Sequence, residues 1–203
     1  MATATQAQQI PSVVDWEGYL NLPSELTSYE IIDGELRPLP TPTFKHQLIV
    51  RQFVLVVAPQ LNAKQLGELI TAPYDVVIRR QPLRTRQPDL MFLSRARFGN
   101  FAQIADAPRI EQPPDLAVEV LSPSDTFVKW LEKLWDYHAL GVPEVWAVDI
   151  ERRSIEVLVR EESGYRWAGS YAGEQLVQST VLKDIELKPA DVFKVLDELE
   201  PQG

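Results

Sequence analysis

The sequence predicts an α/β protein with some α+β character, in which a mixed central sheet is flanked by helices. A buried strand over 116–121 precedes an amphipathic helix over 127–140, and a second apolar strand follows at 145–148. A strand, a helix and another buried strand in this order require a crossover connection and therefore a parallel strand pair. An Asp-Gly turn between apolar runs predicts an antiparallel hairpin over 29–36. The sheet is therefore expected to contain strands of both orientations.

The length and composition are those of one folded domain without a membrane segment. The chain has 203 residues, of which 45% are hydrophobic and 24% are charged, as in ordinary globular proteins. We expect a flexible tail over 1–12 and a single domain over 13–200. No apolar run approaches the roughly 20 residues that span a bilayer, and the first residues lack the features of a secretion signal. We therefore expect a cytoplasmic protein that does not contact membranes.

The residue types that are rare or absent make several kinds of chemistry poorly supported. The chain has no cysteine, which excludes disulfides, cysteine-based zinc sites and cysteine nucleophiles. Two histidines, His46 and His138, are too few for a histidine-rich zinc site. The sequence contains neither a glycine-rich dinucleotide-binding motif nor a phosphate-binding loop.

The first part of the chain predicts a helix on each side of the hairpin. A short helix covers 14–20 and is followed by a turn at Pro23. Thr43 caps a second helix, in which apolar residues recur at helical spacing to about Leu61. Pro59 is expected to lie near the end of this helix, because a proline inside a helix interrupts it.

Three strands are predicted after this helix. Residues 74–78 are short and β-branched, and the runs 89–93 and 116–121 are continuously apolar, as expected of buried strands. The segment 81–86 reads as a polar connection, and 98–109 is ambiguous. The predicted central order is therefore helix, strand, strand, strand, helix, strand.

The last part of the chain begins with the helix over 127–140, which ends at Gly141, a residue typical of helix C-caps. After the strand at 145–148, closing strands are predicted over 154–160 and 165–171, and a terminal helix over 191–199. The predicted apolar face of the 127–140 helix consists of Phe127, Trp130, Leu131, Leu134 and Tyr137.

The charges are unevenly distributed along the chain. The net charge of −9 argues against a surface covered in basic residues for duplex binding, although it allows a local basic cleft. Six arginines lie between Arg79 and Arg97, with Asp89 as the one acid among them. This pattern fits a solvated hairpin and phosphate contacts about equally. We take Arg84 and Arg86, together with Lys129, as candidate contacts to nucleic acid.

Two acids lie in strands where a charge is costly. Asp89 opens one apolar strand and Glu119 lies inside another. A buried carboxylate needs compensation, which either a divalent cation or a salt bridge to an arginine can provide. Lys129 and Lys133 are four residues apart on the following helix and therefore share one face. Lys133 could point toward the strand ends or into solvent, and spacing alone does not decide between them.

Three motifs around these residues resemble a known family. They are Gln-Pro-Asp89, Leu-Ala-Val-Glu119-Val-Leu-Ser-Pro-Ser and Gly-Val-Pro-Glu-Val-Trp146. Together they resemble the restriction-endonuclease-like family of bacterial proteins, which is assigned to the PD-(D/E)XK nuclease superfamily. The resemblance covers about residues 29–160. It implies a restriction-endonuclease-like core of helix-strand-strand-strand-helix-strand, with an added N-terminal hairpin and added C-terminal strands.

The resemblance also implies roles for individual residues. Asp89 and Glu119 would bind a divalent metal, Mg²⁺, together with the backbone carbonyl of Val120. The superfamily's lysine normally lies two residues after the second acid, where this chain has Leu121. In this family the lysine appears on the next helix, which makes Lys133 the third catalytic residue. Two auxiliary residues match the family pattern as well, namely Glu30 and His46.

The function implied is metal-dependent hydrolysis of phosphodiester bonds in nucleic acid, with DNA as the expected partner. Because many nucleases of this superfamily pair to cut two strands, we also expect a homodimer. Trp16 or Trp135, if exposed, would mark its surface. Two alternatives stay open from the sequence, and Leu121 together with the negative net charge favours the first. They are a non-catalytic module that binds nucleic acid or protein, and a structural protein whose acids form buried pairs.

Overall fold

The computed structural model describes residues 13–23, 26, 28–122 and 126–199. The predicted tail over 1–12 lies outside the described residues. Within them, no helix combines the length and the apolar composition that crossing a bilayer requires.

The helices and strands follow the predicted order, with three additional short strands and one additional short helix. The predicted terminal helix is divided into an α-helical and a 3₁₀ part. In chain order the elements are α1 Trp16–Leu20, β1 Tyr29–Ile32, β2 Glu35–Pro38, α2 Phe44–Ala63, β3 Gly67–Thr71, β4 Asp75–Arg80, β5 Leu83–Arg86, β6 Leu90–Ser94, α3 Arg95–Phe98, β7 Arg109–Ile110, β8 Leu116–Leu121, α4 Phe127–Leu140, β9 Glu144–Asp149, β10 Ser154–Glu161, β11 Gly164–Ala172, α5 Pro189–Phe193 and the 3₁₀ helix Lys194–Leu199.

Six strands form the central sheet, in the order β11-β10-β9-β8-β6-β3. β8 and β9 are parallel and are connected through α4, whereas the other neighbouring pairs are antiparallel. The left-handed conformation of Gly141, with φ at 94°, ends α4 and turns the chain back toward the sheet. The predicted mixed sheet with a helical crossover is therefore confirmed.

The segment 74–78, predicted as the first strand of the core, is not part of the central sheet. The core order is present as α2, β3, β6, β8, α4 and β9, and the segment 74–78 instead contributes to β4 in a smaller sheet. β3 was missed because it is a short edge strand that begins with Gly67. A Cβ at Gly67 would lie 2.1 Å from the carbonyl oxygen of Leu93, so only glycine permits this close pairing with β6.

The prediction of a polar connection over 81–86 is also wrong, because residues 83–86 form strand β5. β5 pairs with β4, which also pairs with β7, in a three-stranded sheet beside the β1–β2 hairpin. The backbone N–H of Ile31 in β1 donates to Thr85 Oγ1 at 3.0 Å. The polar side chains of β5 are buried, because acids from other parts of the chain neutralise its arginines.

Helices cover both faces of the central sheet. α2 buries Ile49, Phe53 and Val57 in the core cluster that contains Val118 and Trp146. Alternate strand residues point to opposite faces. Ala117 and Val145 accordingly pack with Tyr137 of α4 in a different cluster on the other side.

The apolar face predicted for α4 is only partly correct. Trp130, Leu134 and Tyr137 pack toward the sheet, as expected. Phe127 is 73% exposed and Leu131 is 37% exposed. Phe127, Leu131 and Trp135 are spaced four residues apart, so they form a second stripe along the helix. This stripe faces outward, away from the positions that pack against the sheet. Trp135 is 64% exposed.

Candidate active site

A cleft of about 510 Å³ lies where the end of β8 meets the start of α4. The proline-containing segment 39–43 and the first turn of α2 line its opposite side. Most of the residues selected from the sequence line this cleft together, and they come from α2, β8, α4 and the position before β6. They are His46, Asp89, Glu119, Val120, Lys129 and Lys133.

Asp89 lies immediately before β6 and beside Glu119. The antiparallel register pairs Leu90 with Val118, and one further step along both strands brings Asp89 opposite Glu119. Asp89 Oδ2 accepts a hydrogen bond from the backbone N–H of Val120 at 2.8 Å. Asp89 Oδ1 lies 3.2 Å from Nε2 of His46, which α2 supplies from its first turn. The adjacent strands and α2 thus fix the orientation of this carboxylate.

Glu119 is the more deeply buried of the two acids, with 3% of its surface exposed. Lys133 Nζ donates to Glu119 Oε2 at 2.6 Å, and the Tyr137 hydroxyl donates to Oε1 at 2.5 Å. Burial raises the pKa of Glu119 to about 7, although Lys133 opposes this shift and Asp89 adds to it. The carboxylate is therefore held by two donors from α4 in a poorly solvated position.

Lys133 points into the cleft rather than into solvent. Only 20% of its side chain is exposed, and its ammonium group contacts Glu119. Burial alone would lower the pKa of Lys133, but the nearby carboxylates of Glu119 and Glu30 raise it above its usual value. Lys133 is therefore a cation held at the acidic pair.

Glu30, Arg84 and Arg86 are absent from the cleft lining and lie together behind α4. Arg86 donates to Glu30 Oε2 and to Asp136 Oδ2, each at 2.6 Å, and Arg84 Nε lies 2.6 Å from Asp136 Oδ1. Both arginine side chains are less than a tenth exposed. The prediction that Arg84 and Arg86 contact nucleic acid is therefore wrong, because both side chains are buried and their guanidinium groups are paired with carboxylates. Lys129, by contrast, is exposed at the cleft.

The arginine-rich segment 79–97 forms neither a hairpin of unpaired, solvated arginines nor a basic patch. Each of its six arginines lies within 4 Å of a carboxylate, so that the local positive charge is largely neutralised. The pairs are Arg79 with Asp33, Arg80 with Glu111, Arg84 with Asp33, Glu132 and Asp136, Arg86 with Glu30, Glu132 and Asp136, Arg95 with Glu68, and Arg97 with Asp115.

The donor set of the cleft fits a hard divalent cation. Among the described residues, no group of three or more His, Cys, Asp or Glu side chains is arranged around a common metal position. Mg²⁺ does not need such a cage, since it is typically held by one or two carboxylates and keeps several waters. Asp89 and Glu119, with the carbonyl of Val120, would provide this kind of site.

Two residues of α4 that contribute to the site were not recognised from the sequence. Tyr137 belongs to the predicted apolar face, but its hydroxyl contacts Glu119. Asp136 anchors the arginine pair behind the helix. The available signal was spacing, because Tyr137 follows Lys133 by four residues and so lies on the same helical face.

Comparisons with known proteins agree with this architecture. Residues 16–190 match the model of the Uma2 family, which is described as "Putative restriction endonuclease". A solved structure described as "a putative nuclease belonging to DUF820 from Anabaena variabilis" matches 90% of this chain and 99% of its own, with a TM-score of 0.74 and 18% identity. At that identity the likeness shows the fold. A search of curated proteins found no match.

Proposed function

Because this chain belongs to the Uma2 family of restriction-endonuclease-like proteins, we propose that it is a metal-dependent nuclease that hydrolyses phosphodiester bonds. The observation that carries the proposal is the convergence of Asp89, Glu119 and Lys133 in one cleft. A lysine pointing into solvent would instead favour a binding module or a structural protein.

Each side chain has a distinct role in this proposal. Asp89 and Glu119 would hold Mg²⁺ with the Val120 carbonyl, and the bound ion would supply an activated water and charge neutralisation at the scissile phosphate. Lys133 would stabilise the negative charge that develops on the phosphate oxygens. His46 keeps the Asp89 carboxylate oriented. Lys129 would contact the nucleic-acid backbone where the cleft opens.

A metal titration with mixed substrates tests this function. Single-stranded and duplex DNA and RNA would be incubated with increasing Mg²⁺, and the products separated by gel electrophoresis. We expect cleavage that depends on Mg²⁺ and stops on addition of EDTA, and DNA is the expected substrate. Asp89→Ala should abolish cleavage at every Mg²⁺ concentration. Cleavage that persists in EDTA would contradict a metal-dependent mechanism.

A non-catalytic nucleic-acid- or protein-binding module is the second candidate. Leu121 occupies the superfamily's usual lysine position, and the arginines that could have formed a basic surface are paired with acids. Such a module would bind nucleic acid with the same affinity in the wild type and the Asp89→Ala variant, without cutting it. A filter-binding measurement beside the cleavage assay separates the two functions.

We also propose that the protein forms a homodimer through the outward stripe of α4, which consists of Phe127, Leu131 and Trp135. Exposed aromatic residues at helical spacing are unusual on a monomer and typical of interfaces. Trp135 is 64% exposed, whereas Trp16 is partly buried, so the stripe favours Trp135 as the interface residue. A dimer would allow two clefts to act on one nucleic acid.

A further inference from the structure

Helix α4 places two different hydrogen-bond donors on the same buried carboxylate. Lys133 and Tyr137 are one helical turn apart, and each donates to its own oxygen of Glu119. In a nuclease that uses Glu119 as a metal ligand, the cation binds the same carboxylate as these two donors. The two donors differ in burial and charge, and these differences indicate which of them leaves Glu119 when the cation binds.

Tyr137 is fixed in its position. Its side chain is 0% exposed and packs with Ala117, Val142 and Val145, and it is absent from the cleft lining. The neighbouring Asp136 is held by Arg86, which in turn contacts Glu30. Close packing in this fully buried position restrains the phenol.

Lys133 is held less firmly. It lines the cleft, and a fifth of its side chain is exposed. Its flexible stem allows the ammonium group to turn toward the cleft without moving the helix. Its charge also matters, because an ammonium and a divalent cation on one carboxylate repel each other, whereas a neutral phenol does not.

Resting on the proposed function, we propose that Tyr137 is a positioning residue that keeps Glu119 oriented as a metal ligand, whereas Lys133 is the exchangeable donor. Lys133 releases Glu119 when a divalent cation is bound and becomes available to the substrate phosphate. The two residues thus affect metal affinity with opposite signs, although both are hydrogen-bonded to Glu119.

The test is the affinity of the substrate-free protein for Mn²⁺, measured at pH 8.5 from the electron paramagnetic resonance signal of the free ion. We expect Tyr137→Phe to weaken Mn²⁺ binding about tenfold, the usual loss when a group that orients a ligand is removed. Lys133→Met should bind Mn²⁺ at least as tightly as the wild type, because it lacks the competing charge, yet it should not cleave nucleic acid.

Tyr19→Phe is the matched control. The Tyr19 hydroxyl donates to a different buried carboxylate, Asp75 Oδ2, at 2.6 Å, and lies outside the cleft lining. Tyr19→Phe removes a phenolic hydroxyl, as Tyr137→Phe does, and it should leave the Mn²⁺ affinity unchanged. Thermal unfolding with and without Mn²⁺ gives a second measure of binding, relative to each variant's own metal-free midpoint.

The outcomes separate this inference from the proposed function. The inference is overturned if Tyr137→Phe binds Mn²⁺ like the wild type, if Lys133→Met binds it more weakly, or if the wild type binds none. If the expected affinities are found but the wild type cuts no substrate, the positioning role is supported and the nuclease function fails.

Discussion

Among the buried ion-pair residues behind α4, Arg86 is predicted to be the one whose replacement lowers the stability of the protein most. Its guanidinium group lies 2.6 Å from both Glu30 and Asp136, with only 5% of its side chain exposed. Arg86→Met would remove the cation that is hydrogen-bonded to buried Glu30, while Asp136 keeps Arg84 at 2.6 Å. Breaking a buried pair from one side costs about 3–5 kcal/mol, and the remaining Arg84 contact favours the lower value of about 3 kcal/mol.

Urea unfolding followed by tryptophan fluorescence measures this loss. The matched control is Arg80→Met, because Arg80 pairs with Glu111 at 2.6 Å on the surface, where their side chains are 58% and 41% exposed. A surface pair contributes about 0–1 kcal/mol, and the exposed contact of the Arg80 guanidinium with the Trp16 ring, at 4.2 Å, contributes about 0.5–1 kcal/mol, so the control should lose clearly less stability than Arg86→Met. Adding Glu30→Gln to Arg86→Met should recover part of the stability, since it removes the unpaired charge. The reasoning is refuted if Arg86→Met costs no more than Arg80→Met.

Three further changes test other parts of the structure. Lys129→Ala should weaken binding to nucleic acids of every sequence and leave the Mn²⁺ affinity unchanged. In fluorescence anisotropy, the slope of log affinity against log salt concentration should fall by about 1, and an unaltered slope would exclude a phosphate contact. Gly67→Ala should lower stability in urea unfolding by about 1–3 kcal/mol, because the new Cβ meets the Leu93 carbonyl, and an unchanged midpoint would contradict the close strand approach. Trp135→Lys should convert the proposed dimer into a monomer, as measured by sedimentation velocity. If the wild type is itself a monomer, the proposed interface is wrong.

Local signals were sufficient to predict the elements that position the acidic pair. The Asp-Gly turn specifies the β1–β2 hairpin, and Thr43 caps α2 as expected, with its hydroxyl accepting from the His46 N–H. The order β8, α4, β9 follows from two apolar strands around a helix with a C-terminal glycine. Each of these features depends on residues that are close together in the sequence.

The elements that were missed depend on distant contacts. β5 contains Arg84 and Arg86, so it reads as polar, and it is buried only because Glu30 and Asp136 come from elsewhere in the chain. β3 lacks a strong apolar pattern because it is an edge strand with intermediate burial. The contact of Tyr137 with Glu119 was hidden for a similar reason, since a tyrosine on an apolar helix face reveals its hydroxyl partner only in the folded chain.

The most direct test of the proposed site compares the two acids with a third carboxylate in single-turnover cleavage at saturating Mg²⁺. Asp149 ends the neighbouring strand β9 and lies outside the cleft lining, which makes Asp149→Asn the matched control. We predict that Asp89→Asn and Glu119→Gln each abolish cleavage, and that the double variant is no worse, because residues that act as a unit have non-additive effects. Asp149→Asn should cleave like the wild type. Undiminished cleavage by either single variant would contradict the assignment of this cleft as the active site.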